Sequence, residues 1–187
     1  MLALCVTGPE SCGKSTLAAA LAQRLGRPLV LEQARDLMAP GVPYDESLLE
    51  RLCAAQEAAE AAVAEAAASE TAVAETAVAK APVLDTDVLV IAVWWRERFA
   101  PSEHTPWPTW LAAALARRSP RHYLLCEPDL PWVPDPLRES PKDRRRLLER
   151  YRALLKGDVF SWQSVTGVGP ERLNGALASL PEPLRSV

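Results

Sequence analysis

The run Gly8-Pro9-Glu10-Ser11-Cys12-Gly13-Lys14-Ser15 constrains this chain more than any other feature. It matches G-x-x-x-x-G-K-[ST] and stands between an apolar segment and a helical one. Leu2 to Val6 reads as a short buried strand. Thr16 to Leu25 carries Leu17, Leu21 and Leu25 at helical spacing, and Gly26 stops it. Between them, Gly8 and Gly13 permit backbone angles that a side chain forbids. Successive N–H groups of residues such as Glu10, Ser11 and Cys12 can then converge on an anion. The helix opening near Ser15 adds unpaired N–H groups and the positive end of its dipole. In this pattern Lys14 bridges the β- and γ-phosphates and the Ser15 hydroxyl holds Mg²⁺, with Thr16 following on the first turn. ATP and Mg²⁺ are the expected ligands.

The rest of the chain alternates strand-like and helical segments. Pro28 to Leu31 reads as a second strand ending at Glu32, with Arg35 and Asp36 just beyond. Pro40 to Tyr44 reads as a turn. Asp45 to Ala81 reads as one or two helices. Between Cys53 and Ala81, 15 of 29 residues are alanine, the best helix former, and Pro82 cannot continue the helix. Val83 to Asp87 is a third strand ending in acids. Helices follow over Val88–Phe99 and Trp110–Arg118, then a fourth strand over His122–Cys126 that ends at Glu127. A proline-rich loop over Leu130–Ser140 leads to a basic helix over Pro141–Lys156. Val159–Val165 is read as a fifth strand and Pro170–Leu180 as a last helix.

This alternation predicts an α/β fold, a parallel sheet of about five strands with helices on both faces. At 187 residues the expectation is one domain over the whole chain, with a helical lid over about 130–152. Ligands of such sheets sit beyond the carboxyl ends of the strands. The glycine-rich loop, Glu32, Asp85 and the stretch from Glu127 to Pro136 all fall at those ends, which argues for one shared site.

Composition narrows the class further. The net charge of −3, from 21 basic and 24 acidic residues, offers no general nucleic-acid surface. No apolar run approaches the roughly 18 residues of a membrane span, and the N-terminus enters a strand without a signal-peptide pattern. The expectation is a cytoplasmic protein without membrane or nucleic-acid partners. Cys5, Cys12, Cys53, Cys126, His104 and His122 have no metal-ligand spacing. The cysteines read as buried thiols, with Cys12 the one whose positive surroundings would lower its pKa.

Several residues suit phosphoryl transfer. Asp85 ends an apolar strand and can support Mg²⁺ held at Ser15. Asp85 or Asp87 could instead cap the next helix, and Asp87 fits that cap better. Glu32 can take the proton of an attacking hydroxyl, and Arg35 can hold substrate or phosphate, although an exposed pair three residues apart on a helix is the plainer use. Trp132-Val133-Pro134-Asp135-Pro136-Leu137-Arg138 precedes the basic helix. Arg138, with Arg144 or Arg145, would bring positive charge over the phosphates as a mobile segment closes. Trp94, Trp95, Trp107 and Trp110 could form a wall for a flat ring, or simply pack in the core.

Taken together these residues resemble the kinase domain of NadR-type nicotinamide-nucleotide adenylyltransferase/ribosylnicotinamide kinase proteins. The resemblance rests on Glu10-Ser11 within the glycine-rich loop, Glu32-x-x-Arg35, Gln56, Asp85-Thr86-Asp87 and Trp132-Val133-x-Asp135-x-x-Arg138, in that order along nearly the whole chain. It implies an α/β P-loop kinase fold and transfer of the ATP γ-phosphoryl group to the 5′-hydroxyl of nicotinamide riboside. It further implies a lid around Arg138 to Arg146, and a substrate site drawing on Glu32, Arg35, Asp87, Trp132 and Asp135. Two other expectations stand beside this one. The first is a nucleotide-dependent switch using the Ala/Glu-rich helix as a partner surface. The second is a nucleoside or deoxynucleoside kinase, since those also use a Glu-x-x-Arg pair near the second strand.

Overall fold

Five parallel strands form one sheet in the order β2-β3-β1-β4-β5. The computed structural model describes residues 2–38, 42–73, 81–100, 102–135, 138 and 141–185. The strands are β1 (Ala3–Thr7), β2 (Leu29–Val30), β3 (Val83–Asp85), β4 (Arg121–Cys126) and β5 (Trp162–Val165). The helices are α1 (Lys14–Leu25), α2 (Ala34–Leu37), α3 (Glu46–Val73), α4 (Val88–Arg98), α5 (Thr109–Arg117), α6 (Arg144–Lys156), α7 (Gly169–Ser179) and α8 (Glu182–Arg185).

Strand β1 lies at the centre, between β3 and β4, and every one of its residues is buried. Apolar side chains on both faces explain its unbroken apolar run. Leu4 and Val6 pack towards α1 and α7, with Val83, Leu124 and Val165. Ala3 and Cys5 pack on the other face, with Leu84, Tyr123 and Leu125 and with the α4 and α6 residues Val93, Leu147 and Tyr151. A further cluster joins Leu48, Leu49 and Leu52 of α3 to Ile91 and Trp95 of α4 and Leu111 of α5. The expected parallel sheet with helices on both faces is thus present. Among the described residues no helix is long and apolar enough to cross a membrane.

Helix α1 starts at the end of the glycine-rich loop, where Gly13 adopts φ 76° at the N-cap. Gly26 ends it in the left-handed region, and the Arg27 N–H returns to the Ala22 carbonyl at 3.0 Å. This is the glycine C-cap that the sequence suggests. Helix α3 is a single helix as far as it is described, and residues 74–80 of the expected helical stretch lie outside the described residues. The expected turn at Pro40 falls partly outside them as well.

Some boundaries differ from expectation for local reasons. The fifth strand begins at Trp162 rather than Val159. The Asp158 carboxylate accepts the N–H groups of Val159 (2.7 Å) and Phe160 (3.4 Å), which makes a turn there and leaves Val159 88% exposed. Strand β2 at the sheet edge is only two residues long, and the basic helix begins at Arg144 after a turn at Pro141–Asp143. The short helix α2 carries Arg35, as the surface-pair reading implied, although Glu32 precedes it; α8 has no clear sequence signal.

Candidate active site

The glycine-rich loop runs from the end of β1 into α1. Gly8 has φ 140°, and a Cβ there would lie 2.7 Å from the Cys126 carbonyl oxygen, so the close approach of β4 and the positive φ both require glycine. Ser11 is a non-glycine residue at φ 53°, a sparsely populated conformation of the kind found at ligand sites. Lys14 folds back and donates from Nζ to the Pro9 carbonyl at 2.9 Å. Burial works against its ammonium. Electrostatic attraction towards Cys12 and the carboxylates of Glu32 and Asp85 outweighs that effect and raises its pKa, which keeps the cation in place.

Cys12 is buried, and its thiol donates to the Pro9 carbonyl at 2.9 Å. Burial pushes its pKa up. A hydrogen bond from Cys126, together with Lys14 and Arg172, more than reverses this and brings it down to about 7. All four cysteines are free and buried.

A cleft opens beside the loop. Its walls include Gly8 to Thr16, Glu32, Tyr44, Gln56, Asp87, Trp94, Asp135, Arg138 and Tyr151. The loop, the β2 end, the β3 end and the segment before α6 therefore meet in one place. Glu32 is half-buried on this wall. The backbone of Arg35 is in α2, and its side chain lies outside the described residues.

Gln56 links two of the strand ends. It is 3% exposed, donates from Nε2 to the Thr86 carbonyl at 3.3 Å and accepts the Gln33 N–H at Oε1, also at 3.3 Å. Thr86 between the two acids has φ 67°, held by its N–H to the Val6 carbonyl at 2.9 Å. Asp85 is buried at the β3 end, beside the lysine whose charge it supports.

Asp87 borders the cleft, but inward-facing partners engage its carboxylate. One oxygen accepts the Leu89 N–H at 3.0 Å and caps α4. The other accepts from Arg121 Nη1 at 2.7 Å and from the Tyr123 hydroxyl at 2.6 Å. The cap reading of Asp87 holds, and the buried ion pair beneath it is an addition the sequence did not suggest.

The segment before α6 lies directly on the loop. The Val133 N–H donates to Ser11 Oγ at 2.9 Å, and Arg138 Nη1 donates to the same oxygen at 3.4 Å and to the Val133 carbonyl at 2.5 Å. Asp135 lines the cleft and accepts the Arg138 N–H at its carbonyl, at 3.0 Å. Pro136 and Leu137 of this stretch lie outside the described residues. Arg144 donates to the carbonyls of Ser11 (3.2 Å) and Leu130 (2.8 Å), and its guanidinium lies 5.8 Å from the Trp132 ring centre. It holds backbone rather than reaching across the cleft. Arg145 is exposed. Further along α6, Arg146 and Arg150 pair with Glu97 of α4, and Arg152 pairs with Glu127. These ties fix the helix to the body of the protein.

The four tryptophans divide. Trp94 lines the cleft. Trp95 packs against Trp107, with ring centres 5.4 Å apart, and donates to Glu46; Trp107 stacks under Arg96, and Trp110 joins the same α3–α4–α5 cluster. The collective aromatic wall expected from sequence is therefore corrected to one tryptophan, joined by Tyr44 and Tyr151. Tyr151 sits on the buried stripe of α6 with Leu147, Leu148 and Leu155, so its spacing marks it as core and says nothing of the cleft.

The donor set at the loop suits Mg²⁺. Ser15 offers a hydroxyl and Asp85 a carboxylate, both hard oxygen donors. At the ends of the adjacent strands β1 and β3, the buried hydroxyls of Thr7 and Thr86 have no hydrogen-bond partner among the described residues, an arrangement open to a bridging water. Among the described residues no cluster of three His, Cys, Asp or Glu side chains is arranged around a cation. One carboxylate with phosphate and water is an ordinary Mg²⁺ environment.

A glycine-rich loop between the central strand of a parallel sheet and a helix, with an acid ending the neighbouring strand, defines an α/β P-loop NTPase fold. The AAA domain family matches residues 3–172, and the chain belongs to that family. Among solved structures it is similar to the NadR protein in complex with NAD and AMP-PNP, with a TM-score of 0.66 and 20% identity. That match covers 100% of this chain and 50% of the other, so the chain spans half the length of this relative. It is also similar to deoxyadenosine kinase from M. mycoides with bound dATP, with a TM-score of 0.52 and 14% identity, over 95% of this chain and 98% of that one. The resemblance to NadR seen in the sequence thus extends to the fold. No curated protein matches the chain.

Proposed function

We propose that the protein is an ATP-dependent small-molecule kinase that phosphorylates the 5′-hydroxyl of a nucleoside-type acceptor, with nicotinamide riboside favoured. The observation that carries this reading is the cleft itself. A switch or simple ATPase needs only the loop, whereas here the loop opens into a pocket walled by Glu32, Gln56, Tyr44, Trp94 and Tyr151. Such a pocket, with Tyr44, Trp94 and Tyr151 set among aliphatic side chains and a few polar groups, suits a nucleoside. The two solved structures of the same fold carry AMP-PNP with NAD, and dATP, which supports a triphosphate beside a nucleoside-type ligand.

In this reading the backbone N–H groups of the loop and Lys14 bind the β- and γ-phosphates. Ser15 and Asp85 would hold Mg²⁺, which when bound neutralises phosphate charge. Glu32 lines the same cleft as Lys14 and accepts the proton of the attacking hydroxyl. Arg138, already at the loop through Ser11, places positive charge where it develops on the transferred group. Asp135 shapes the acceptor end, whereas Trp132, expected there from sequence, packs by Arg144 outside the cleft lining; Arg144 and Arg145 contribute positive potential from the segment beside the loop. Such a kinase works where ATP is plentiful, in the cytoplasm, and needs no membrane or nucleic-acid partner.

The test is a coupled ADP-release screen over nucleosides, including nicotinamide riboside, in the presence of Mg²⁺. Acceptor-dependent ADP release is the expected result. Equal, slow ATP hydrolysis whatever nucleoside is added would replace this reading with the switch. A preference for deoxynucleosides would keep the reaction and change the acceptor.

A further inference from the structure

Two consecutive carbonyls of the glycine-rich loop are held from outside it by arginines on different helices. Arg144, the first residue of α6, donates from Nη1 to the Ser11 carbonyl at 3.2 Å and to the Leu130 carbonyl at 2.8 Å. Arg172, in α7, donates from Nη2 to the Cys12 carbonyl at 2.9 Å and to the Glu127 carbonyl at 3.3 Å. Its Nη1 reaches Asp129 Oδ1 at 2.7 Å and the Gly167 carbonyl at 2.8 Å. The other oxygen of Asp129 accepts the Gly167 N–H at 2.7 Å, which locks the guanidinium in one orientation. Arg172 is only 4% exposed. It is a fixed strut, not a solvated surface cation.

A trans peptide is planar, and its carbonyl and the following N–H point in opposite directions. A guanidinium on the Ser11 carbonyl therefore turns the Cys12 N–H away from it. A guanidinium on the Cys12 carbonyl does the same to the Gly13 N–H. Ser11 is strained at φ 53°, and Gly13 at φ 76° adds a residue free to take many backbone angles, so the local sequence does not hold these planes unaided. A planar fork with several donors suits such a task better than a flexible ammonium.

We propose that Arg144 and Arg172 are positioning residues. They fix the peptide planes after Ser11 and Cys12 and so preset the Cys12 and Gly13 amides to receive phosphate. The inference rests on the phosphate-binding reading of the loop. Arg144 ties the Ser11–Cys12 plane to α6, which is itself fixed through Glu97 and Glu127, and Arg172 with Asp129 holds the next plane independently of α6. The loop then has one plane tied to α6 and one tied to α7 and the loop after β4.

Inorganic tripolyphosphate, which lacks base and sugar, is the probe, added to the 187-residue chain. Its affinity is read by calorimetry and its contacts by backbone amide NMR. R144K and R172K keep the charge and lose the fork. Each is expected to weaken binding by about tenfold, the scale of a lost charge-assisted hydrogen bond. R144K should alter the Cys12 amide response and R172K the Gly13 response. D129N leaves the loop and both arginines in place and should reproduce the R172K pattern, which keeps the inference testable if R172K folds poorly. Wild-type affinity with unchanged Cys12 and Gly13 responses in R144K and D129N would overturn the inference while leaving the phosphate site standing. Failure of the wild-type protein to bind tripolyphosphate would overturn the phosphate reading beneath it.

Discussion

Asp87 and Arg121 form an ion pair of 2.7 Å whose side chains are 0% and 1% exposed. The carboxylate also caps α4 and accepts from Tyr123, so this pair joins β4 to the start of α4 under the cleft floor. Removing one partner leaves the other charge buried and uncompensated. Arg121→Met and Asp87→Asn should each cost about 3–5 kcal/mol of stability, measured by urea unfolding. A loss below about 1 kcal/mol, the range of an exposed pair, would show that the pair is hydrated in solution.

Lys14 and Glu32 separate binding from chemistry. Lys14→Ala should abolish turnover and weaken triphosphate binding, while circular dichroism and the thermal midpoint stay near wild type. Glu32→Gln keeps the shape and removes the base, so kcat should fall by about 10²–10⁴ with little change in the KM for ATP. A fall in ATP affinity without a fall in kcat would assign Glu32 to the nucleotide instead.

Gly8→Ala tests the loop's geometry. The new Cβ would sit 2.7 Å from a backbone oxygen that cannot swing aside, at φ 140°. Folding should lose at least about 1–3 kcal/mol, and ATP binding should weaken with it. Gly175→Ala is the control, since a Cβ there meets nothing within 4 Å and the residue lies within α7.

Glu60 gives the protein a stability that depends on pH. Burial raises its pKa from 4.5 to about 7, with the Asp87 charge adding to the rise and Arg121, 3.3 Å away, only partly opposing it. Between those values the native state binds more protons than the unfolded state, so stability falls as pH increases. Its contribution is fully present below pH 4.5 and is lost as pH rises through 7. The change should be on the order of 2–3 kcal/mol in unfolding experiments. Glu60→Gln should flatten this slope, and an unchanged slope in that variant would assign the pH dependence to another group.

Local chemistry made much of this protein readable in advance. The glycine-rich loop, its flanking strand and helix, and the acids at the strand ends are short-range patterns, in which steric limits at Gly8 and Gly13 and apolar spacing at Leu17, Leu21 and Leu25 speak for themselves. The alternation of segments also reveals a parallel sheet, because buried strands and amphipathic helices differ in period.

Strand order and side-chain partnership are another matter, since they depend on which faces meet. Trp94 and Trp95 are adjacent in sequence, yet a helix turns one to the cleft and the other to the core. Asp87 looked like either a cap or a substrate contact until β4 brought Arg121 and Tyr123 beneath it. Arg172 carried no signal at all, for its guanidinium meets the Cys12 carbonyl across 160 residues of chain. The residue types and their local spacing mark where phosphate can bind. Which peptide planes face it, and which arginines hold them, follows from long-range packing that no local pattern encodes.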